Sequence, residues 1–319
     1  GMMAMEPQTG HVKAWVVGIN YKYFQYDHVG QGARQVGSTF KPFVYATAID
    51  RLQKSPCDMI MDSPFTILKG DNNDKDWTPN NSDGKYRGLV SMKKALANSI
   101  NTVSARLIHE VGAPAVVEMA KNLGVTSNIP NRPAIALGAV EITVQEMVAA
   151  FSTFANEGVY IKPQLITKIE DKNGVVIYQG VEESHDVVNK DVAYSVIKLM
   201  EGVTESGTGS RLRWAASAPS NFLTGVPYNI KGPVAGKTGT SQVVDPNCKC
   251  YSRDVIASFI GMAPAEDPEI VVAVAIHHPQ NGRYGGMLAG PVFKEVAQYS
   301  LQQLNIPPSN GKPTGYPVE

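Results

Sequence analysis

The sequence predicts an α/β fold in which an antiparallel five-stranded sheet is flanked by helices and carries an inserted all-helical lobe. Strand-like alternation of apolar and polar residues occurs at both ends of the 319-residue chain, and helical periodicity dominates between them. Because a two-stranded hairpin is marginal alone, we expect the first two strands to join the last three in one sheet. This predicts one domain over residues 1–305, with a sheet lobe over 1–55 and 160–305 and a helical lobe over 56–159.

The first third of the chain contains the first hairpin and the first helix. Two predicted strands within residues 3–17 flank the turn sequence Pro7-Gln8-Thr9-Gly10. A helix is predicted to begin at Gly37-Ser38, and it places one set of side chains on a single face, namely Phe40, Phe43, Val44, Thr47 and Ala48. Residues 71–88 are rich in Asn, Asp and Gly and predict a long surface loop that carries Trp77 and Tyr86.

Helices are predicted through the middle of the chain. The cluster Asn98-Ser99-Ile100-Asn101 favours a turn between two helices, with Asn101 as the cap of the second. Thr143 and Glu146 have the spacing of a capping box, and Gly158 is expected to end that helix. Asn173-Gly174 lies between alternating residues and predicts a hairpin over 165–178, followed by a helix over 191–203.

The last third predicts three strands and a closing helix. The strands are expected over 234–243, 255–262 and 270–277. The helix is expected over 291–304, with Val292, Val296 and Leu304 facing inward. The Pro- and Gly-rich tail over 306–319 is predicted to be disordered.

Composition and charge exclude several classes of function. The formal net charge is +0 and the charges are scattered, so neither nucleic acid nor anionic lipid is expected as the main partner. No apolar run approaches the roughly 18 residues that a membrane-spanning helix requires. There is no signal peptide, and Gly1 ahead of Met2 resembles the residue left by tag cleavage, so we expect a soluble chain from which targeting segments are missing.

The three cysteines do not predict a disulfide framework. The spacing of Cys248 and Cys250 is too short for an unstrained bridge, and Cys57 is interpreted as inert. The pair would need further ligands such as His277 or His278 to hold zinc, so a plain loop pair is the preferred interpretation. No metal and no cofactor are predicted.

Three short motifs together supply the groups for acyl transfer, and the first provides a nucleophile and a base. In Ser38-Thr39-Phe40-Lys41 the three-residue spacing places hydroxyl and amine on one helix face. At the helix start, Ser38 also meets unpaired amide donors that stabilise negative charge on an attacked carbonyl. Lys41 acts as a base only when neutral, so we expect its pKa to be depressed by burial and by Lys237. Alone, this motif is typical of a helix cap followed by a surface lysine.

The second motif, Ser99-Ile100-Asn101, offers a hydroxyl and an amide in one turn. The Ser99 hydroxyl is expected to relay a proton to the leaving amine, and the Asn101 amide to bind the substrate backbone. Alone, this motif is an ordinary turn between helices. Trp77 and Tyr86 are candidates for the acceptor side of the site, with anchoring of their loop to the core as the equal alternative.

The third motif, Lys237-Thr238-Gly239-Thr240, lies on a predicted strand. Alternation sends Lys237 and Gly239 to one face and the two threonines to the other, and Gly239 is expected to leave room for substrate. The hydroxyls of Thr238 and Thr240 are expected to hold a carboxylate, and the backbone amides of Ser38 and Thr240 to form the oxyanion hole. Alone, the motif is a glycine-flanked edge strand.

In this order, the motifs resemble the transpeptidase domain of penicillin-binding proteins over nearly the whole chain. The part from Met5-Glu6-Pro7-Gln8-Thr9-Gly10, through Ala136-Leu137-Gly138, to Phe154-Ala155-Asn156-Glu157-Gly158 resembles the bifunctional class A group. The closing third resembles the division-type class B group in Ser258-Phe259-Ile260-Gly261-Met262-Ala263-Pro264, Tyr284-Gly285-Gly286 and Gly290-Pro291-Val292-Phe293. This change suggests the hypothesis of a chimeric or designed sequence, joined between residues 209 and 237.

The resemblance implies a serine β-lactamase/transpeptidase-like fold and D,D-transpeptidase activity. Ser38 would attack the D-Ala-D-Ala bond of a peptidoglycan stem peptide, and β-lactam antibiotics would acylate the same serine, with Lys41, Ser99, Asn101 and Lys237 as the other catalytic residues. Full-length relatives are expected at the extracytoplasmic face of the bacterial inner membrane, with an anchor that this sequence lacks.

Three alternatives to this activity were weighed. D,D-carboxypeptidase side activity, with water in place of the acceptor amine, stays open. A class A β-lactamase needs a Glu-x-x-Leu-Asn segment, which the sequence does not contain. A β-lactam-binding sensor, or an engineered penicillin-binding scaffold without turnover, would share all three motifs.

Overall fold

The computed structural model describes residues 1–23, 25–69, 75–213, 234–244, 248 and 250–306. The strands are β1 (Met2–Met5), β2 (Val12–Val16), β3 (Arg34–Gln35), β4 (Met59–Asp62), β5 (Gly88–Ser91), β6 (Glu141–Ile142), β7 (Val159–Ile161), β8 (Lys168–Glu170), β9 (Val176–Gln179), β10 (Ser184–Asp186), β11 (Ala235–Val244), β12 (Tyr251–Ala263) and β13 (Ile270–His277). The α-helices are α1 (Lys41–Leu52), α2 (Met92–Ala97), α3 (Asn101–Val111), α4 (Ala113–Asn122), α5 (Val144–Ala155), α6 (Lys190–Glu205) and α7 (Gly285–Gln303).

Strands from both ends of the chain form one antiparallel sheet, as predicted. Its order is β11-β12-β13-β1-β2, so β1 pairs with β13 on one side and with β2 on the other. Ala4 lies opposite Val272 on β13 and opposite Ala14 on β2. The motif strand β11 is therefore an edge of the sheet, with one side open to a neighbour or to solvent.

The two faces of the sheet belong to two apolar layers. Met3 and Met5 pack with the large core that includes helices α1 to α6, whereas Ala4 between them joins the smaller cluster under α7. This is the alternation expected of a strand buried on both faces. In the smaller cluster Phe259 of β12 packs against Phe293 of α7, with ring centroids 4.7 Å apart.

Helix α1 is buried on nearly all sides rather than on the single face that the sequence suggested. Every residue from Lys41 to Ile49 is buried. A helix of this kind is the centre of a domain, and its charged side chain cannot reach bulk water. The cost of burying Lys41 must therefore be offset by hydrogen bonds inside the protein.

Several local predictions can be compared with the structure. Thr143 and Glu146 form the predicted capping box of α5, and the hairpin of β8 and β9 turns around Asn173-Gly174. Asn101 is not a cap: it is the first residue of α3, and Ile100 before it makes no side-chain capping bond.

The closing helix differs from its prediction in length and in face. It begins at Gly285, so Pro291 lies inside it, and the buried residues are Ala289, Phe293, Ala297 and Leu301. Val292, expected to face inward, is 39% exposed, whereas Val296 packs against the smaller apolar cluster as expected. The two glycines at the start of α7 pack closely against neighbouring backbone, and this contact sets a rotation of the helix that apolar spacing alone did not reveal.

Cys248 and Cys250 form a disulfide, contrary to the interpretation as an unbridged pair. Two other predictions fall largely outside the described residues, namely the disordered tail and most of the junction between residues 209 and 237. Within the described residues, no helix has both the length and the apolar content needed to cross a membrane.

Candidate active site

Ser38 lies in a short 3-10 turn, Gly37–Phe40, directly before α1. The backbone ahead of it is held on two sides, because Gly37 N donates to Gly138 O at 3.2 Å and Ser241 Oγ donates to Gln35 O at 2.6 Å. Gly138 has a φ of +77°, and a Cβ there would overlap the Gly37 carbonyl oxygen. The segment 136–138 and the strand β11 therefore fix the position of the serine from opposite sides.

Lys41 is completely buried one turn after Ser38 and points at the turn between α2 and α3. Its Nζ donates to Ser99 O at 2.6 Å, to Asn101 Oδ1 at 2.6 Å and to Ser99 Oγ at 3.1 Å. Burial, and then the charge of Lys237, lower the pKa of Lys41 well below its ordinary value of 10.5. Among the described residues, the hydroxyl of Ser38 makes no hydrogen bond with Lys41, so the two motif residues share the site without direct contact.

The turn that carries Ser99 is built from tight backbone bonds. Ser99 has a φ of +55°, and Ile100 N donates back to Ala95 O at 2.9 Å, which closes the end of α2. Thr208 N donates to Ala97 O at 3.0 Å and ties the same turn to the segment after α6. The left-handed backbone of Ser99 lets its hydroxyl and the Asn101 amide face Lys41 together.

Lys237 brings β11 into the same cluster. Its buried Nζ donates to Ser99 Oγ at 3.0 Å and to Thr238 O at 3.1 Å, and burial lowers its pKa to about 7. Ser99 Oγ therefore lies within hydrogen-bond distance of both lysines. The three motifs, far apart in sequence, meet at this oxygen.

In the rest of the β11 motif, Thr238 and Thr240 line the cleft as expected, whereas Gly239 differs from the expectation. Thr238 Oγ1 lies 2.6 Å from Thr208 Oγ1, and Thr240 Oγ1 accepts from Gly285 N at 3.3 Å. A Cβ at Gly239 would collide with Ser258 Oγ and Thr39 Cγ2, so this glycine lets β11 pack against the protein itself. The prediction that Gly239 leaves room for substrate is thus replaced by a packing requirement.

The side chains of the three motifs that reach the surface line one open cleft of about 710 Å³. Its lining residues are Ser38, Asn81, Ser82, Asp83, Arg87, Asn98, Ser99, Ile100, Thr208, Arg211, Thr238, Thr240, Tyr284, Gly285, Gly286 and Met287. Both residues whose amides were expected to form an oxyanion hole, Ser38 and Thr240, are in this lining. Lys41 and Lys237 lie behind the lining, in contact with Ser99.

Trp77 and Tyr86 are not part of this lining. Trp77 pairs its backbone with Ile67, and the Tyr86 hydroxyl donates to Asn80 Oδ1 at 3.3 Å. The same loop instead contributes Asn81, Ser82, Asp83 and Arg87, which sequence reasoning missed. The Asn- and Asp-rich composition of the loop was the sequence signal for these polar lining residues, whereas the prediction named the aromatic residues of the loop.

Within the described residues, no group of three or more His, Cys, Asp or Glu side chains is arranged to hold a metal ion. The site consists of a serine at a helix start, a buried amine, a second hydroxyl and a cationic edge strand. This combination defines the class of serine acyl-transfer proteins in which an S-x-x-K helix faces a K-T-G strand.

Comparison with known proteins gives the family. The family model described as "Penicillin binding protein transpeptidase domain" matches residues 1–298, and the chain belongs to this family. The chain is 31% identical over 318 residues to penicillin-binding protein 1A of Neisseria flavescens, covering 96% of this chain and 36% of that protein. It is 30% identical to penicillin-binding protein 1A of Aquifex aeolicus, covering 97% of this chain and 40% of that protein. The chain thus spans well under half the length of these relatives.

Solved structures of the same family share the fold. Penicillin-binding protein 1A from Haemophilus influenzae superposes with a TM-score of 0.78 at 21% identity, over 98% of this chain and 48% of that one. Penicillin-binding protein 3 from Mycobacterium tuberculosis, complexed with aztreonam, gives a TM-score of 0.74 at 19% identity, over 97% and 73% of the two chains. The serine β-lactamase/transpeptidase-like fold predicted from the motifs is confirmed by these likenesses.

Proposed function

We propose that this chain is a serine D,D-transpeptidase domain that cross-links peptidoglycan stem peptides and is acylated by β-lactams. The observation that carries the proposal is the meeting of Lys41 and Lys237 at Ser99 Oγ, at 3.1 and 3.0 Å, beside the cleft that Ser38 lines. A site of this kind holds a nucleophile, a base with a lowered pKa and a proton relay in one cluster.

In the acylation step, Ser38 Oγ attacks the carbonyl carbon of the D-Ala-D-Ala bond and its proton passes to the neutral Lys41 amine. The oxyanion is stabilised by the amides of Ser38 and Thr240, and Thr238 and Thr240 hold the terminal carboxylate. The C–N bond then breaks, and Ser99 Oγ relays a proton from the lysines to the departing D-alanine amine. An ester between Ser38 and the donor peptide remains.

In the second step, an amine of a neighbouring stem peptide attacks the ester carbonyl. The amine loses a proton, the ester bond between the carbonyl carbon and Ser38 Oγ breaks, Ser38 Oγ regains a proton through the same relay, and a new amide bond links the two peptides. Water in place of the amine gives carboxypeptidase action, which we propose as a side activity. The extracytoplasmic face of the bacterial inner membrane is the proposed setting of the full-length protein.

A β-lactam-binding sensor or scaffold without turnover is the second candidate, because acylation of Ser38 requires the same cluster. Intact-mass analysis after incubation with benzylpenicillin tests the shared step. We expect an adduct on the parent protein and none on Ser38→Ala. Turnover of a D-Ala-D-Ala peptide then separates the candidates: product formation supports the transpeptidase, and a stable adduct without any turnover supports the sensor.

A further inference from the structure

Asn81, in the loop that forms one wall of the cleft, uses its whole amide for hydrogen bonds inside the protein. The side chain is 6% exposed. Its Oδ1 accepts from the backbone N of Asn101 at 2.9 Å and of Thr102 at 3.2 Å, and its Nδ2 donates to Asp62 Oδ1 at 2.7 Å and to Lys85 O at 2.8 Å. An asparagine amide has two donors and two acceptor sites, so none is left over.

These bonds make Asn81 the cap of a helix that it does not belong to. The first amides of α3 have no partner within the helix, and Ile100, the residue before it, has no side chain that can accept. Asn81 supplies the missing acceptor from a loop 20 residues earlier in the chain. The beginning of α3, which carries Asn101, is therefore attached to the cleft wall.

Asp62 decides which way the Asn81 amide points. This carboxylate is completely buried and accepts from Thr102 Oγ1 at 2.6 Å, from Arg87 N at 3.0 Å and from the Arg87 guanidinium at 3.4 Å, in addition to Asn81. An ionised carboxylate accepts only, so it must face the Nδ2 of Asn81 and leave Oδ1 for α3. The amide cannot turn over without placing two acceptors against each other.

The same arrangement fixes the amine of Lys41. Asn101 Nδ2 donates to Asn80 O at 2.8 Å, so its Oδ1 is held toward Lys41 Nζ at 2.6 Å. A neutral amine has two N–H bonds and one lone pair. Because Asn101 Oδ1 and Ser99 O, both at 2.6 Å, take the two N–H bonds of the neutral amine, its lone pair is left for Ser99 Oγ at 3.1 Å.

We propose that Asn81, oriented by Asp62, is a positioning residue for the acylation reaction: it holds the start of α3 so that Asn101 keeps the Lys41 amine oriented beside Ser99 Oγ. This inference rests on the proposed function and assigns a role in it to two residues that do not touch the reacting atoms. Lys41 is faced by Lys237 from β11 and by the Ser99–Asn101 turn, and Asn81 by Asp62 and Arg87.

The experiment compares Asn81→Ala, Asn81→Asp, Asp62→Asn and the double variant Asp62→Asn/Asn81→Asp, with the rate of benzylpenicillin acylation measured against pH. In the double variant the donor moves to position 62 and the acceptor to position 81, so this pair is complementary again, while Lys85 O loses the donor that Asn81 supplied. Asn189→Ala is the matched control, because Asn189 caps α6 by the same bond, to Val192 N at 2.8 Å. That cap lies at the end of α6 remote from the site, about 24 Å along the helix.

We expect each single variant to be acylated about 100-fold more slowly, the loss typical of a misplaced catalytic group. The midpoint of the pH profile should move upward in Asn81→Ala. Without Asn81, Asn101 is no longer held in place and water reaches Lys41, so the pKa of Lys41 rises toward its ordinary value. The double variant should recover to within about tenfold of the parent, since coupled partners are not additive. Asn189→Ala should lower the melting temperature and leave rate and midpoint unchanged.

Two results would overturn the inference. Parent-like rate and midpoint in Asn81→Ala, with the parent acylated on Ser38, would leave the proposed function standing and remove the role of Asn81. A double variant as slow as the singles, but folded as judged by circular dichroism, would do the same. A parent with no Ser38 adduct would instead contradict the proposed function itself. Should a single variant not fold, the double variant carries the comparison.

Discussion

The amines of two buried lysines lie beside the hydroxyl of Ser99, and the charge of one disfavours protonation of the other. Lys41 and Lys237 both donate to Ser99 Oγ, and neither side chain is exposed. Two adjacent ammonium groups repel each other in such a low-dielectric environment, so the pair loses protons in steps that belong to both groups. With the pKa of Lys237 at about 7 and that of Lys41 well below 10.5, a neutral amine is present under physiological conditions.

The first prediction concerns the role of Lys41 as base. Acylation needs the neutral amine, so its rate should rise with pH through the lowered pKa of Lys41, with a midpoint well below 10.5. Lys41→Met removes the amine and should slow acylation by about a thousandfold, in the range of general-base effects. Stopped-flow acylation with a chromogenic β-lactam measures both.

Lys190→Met is the control for this substitution, because Lys190 is an exposed lysine paired with Glu157. It should behave like the parent at every pH. A flat profile through the lysine range, or fast acylation of folded Lys41→Met, would contradict the role of Lys41.

Residue identity predicted much of the site, because Ser38, Lys41, Ser99 and Lys237 belong to motifs with fixed spacing. The spacing of residues in a motif does not show which way a side chain points in an irregular loop. Asn81 and Asp62 act through bonds between segments that the sequence separates widely, and only the folded chain brings them together. The same limit explains why Trp77 and Tyr86 were chosen as candidates for the acceptor side.

Close backbone contacts, rather than side-chain packing, position the elements around the cleft. Gly138 lies against Gly37, and Gly285 lies against the carbonyls of Gly239 and Ser258. Each contact excludes a Cβ, so the start of α1 and the start of α7 are fixed against their neighbours by the absence of a side chain. The helices that depend on these contacts are α1 and α7. Apolar periodicity did not predict all of their buried residues.

The second prediction tests one such contact. Gly138→Ala should destabilise the protein by about 3 kcal/mol or more, since it adds both a strained backbone and a collision with the Gly37 carbonyl. It should also slow acylation, because the turn that holds Ser38 must move. Urea unfolding and acylation kinetics measure the two effects.

Gly174→Ala separates strain from collision. Gly174 has a φ of +82°, close to that of Gly138, but nothing lies within 4 Å of a Cβ added there. We expect it to lose only about 1 kcal/mol and to keep the parent acylation rate. Equal losses in the two variants would show that the contact with Gly37 has no part in holding the serine.

At the scale of the whole molecule, the interior position of β1, between β13 and β2, makes the sheet a single unit. The strand contributes Met3 to one apolar layer and Ala4 to the other. The two layers are therefore coupled through residues at the very start of the sequence.

The alignment with a single relative over 96% of this chain also runs across residues 209–237, where a junction was hypothesised.

The third prediction follows from this coupling. Met3→Ala should reduce the free energy of unfolding by about 2–4 kcal/mol, the usual cost of a cavity at a fully buried site. Acylation of the folded fraction should stay unchanged, since Met3 is not among the residues that line the cleft. Val16→Ala, at a position that is 42% exposed on β2, should cost less than about 0.5 kcal/mol. An unchanged urea midpoint for Met3→Ala would contradict the role of β1 in joining the two apolar layers.

The placement of β1 between β13 and β2 also has a consequence for biosynthesis. During synthesis β1 waits for a neighbour that is made 264 residues later, between Met5 and Ile270. Pairing over such a distance is slow, and an incomplete chain keeps an unsatisfied strand edge until then. Pairing of β1 should therefore be a late step of folding, and a chain that lacks β13 should depend on chaperones to stay unaggregated.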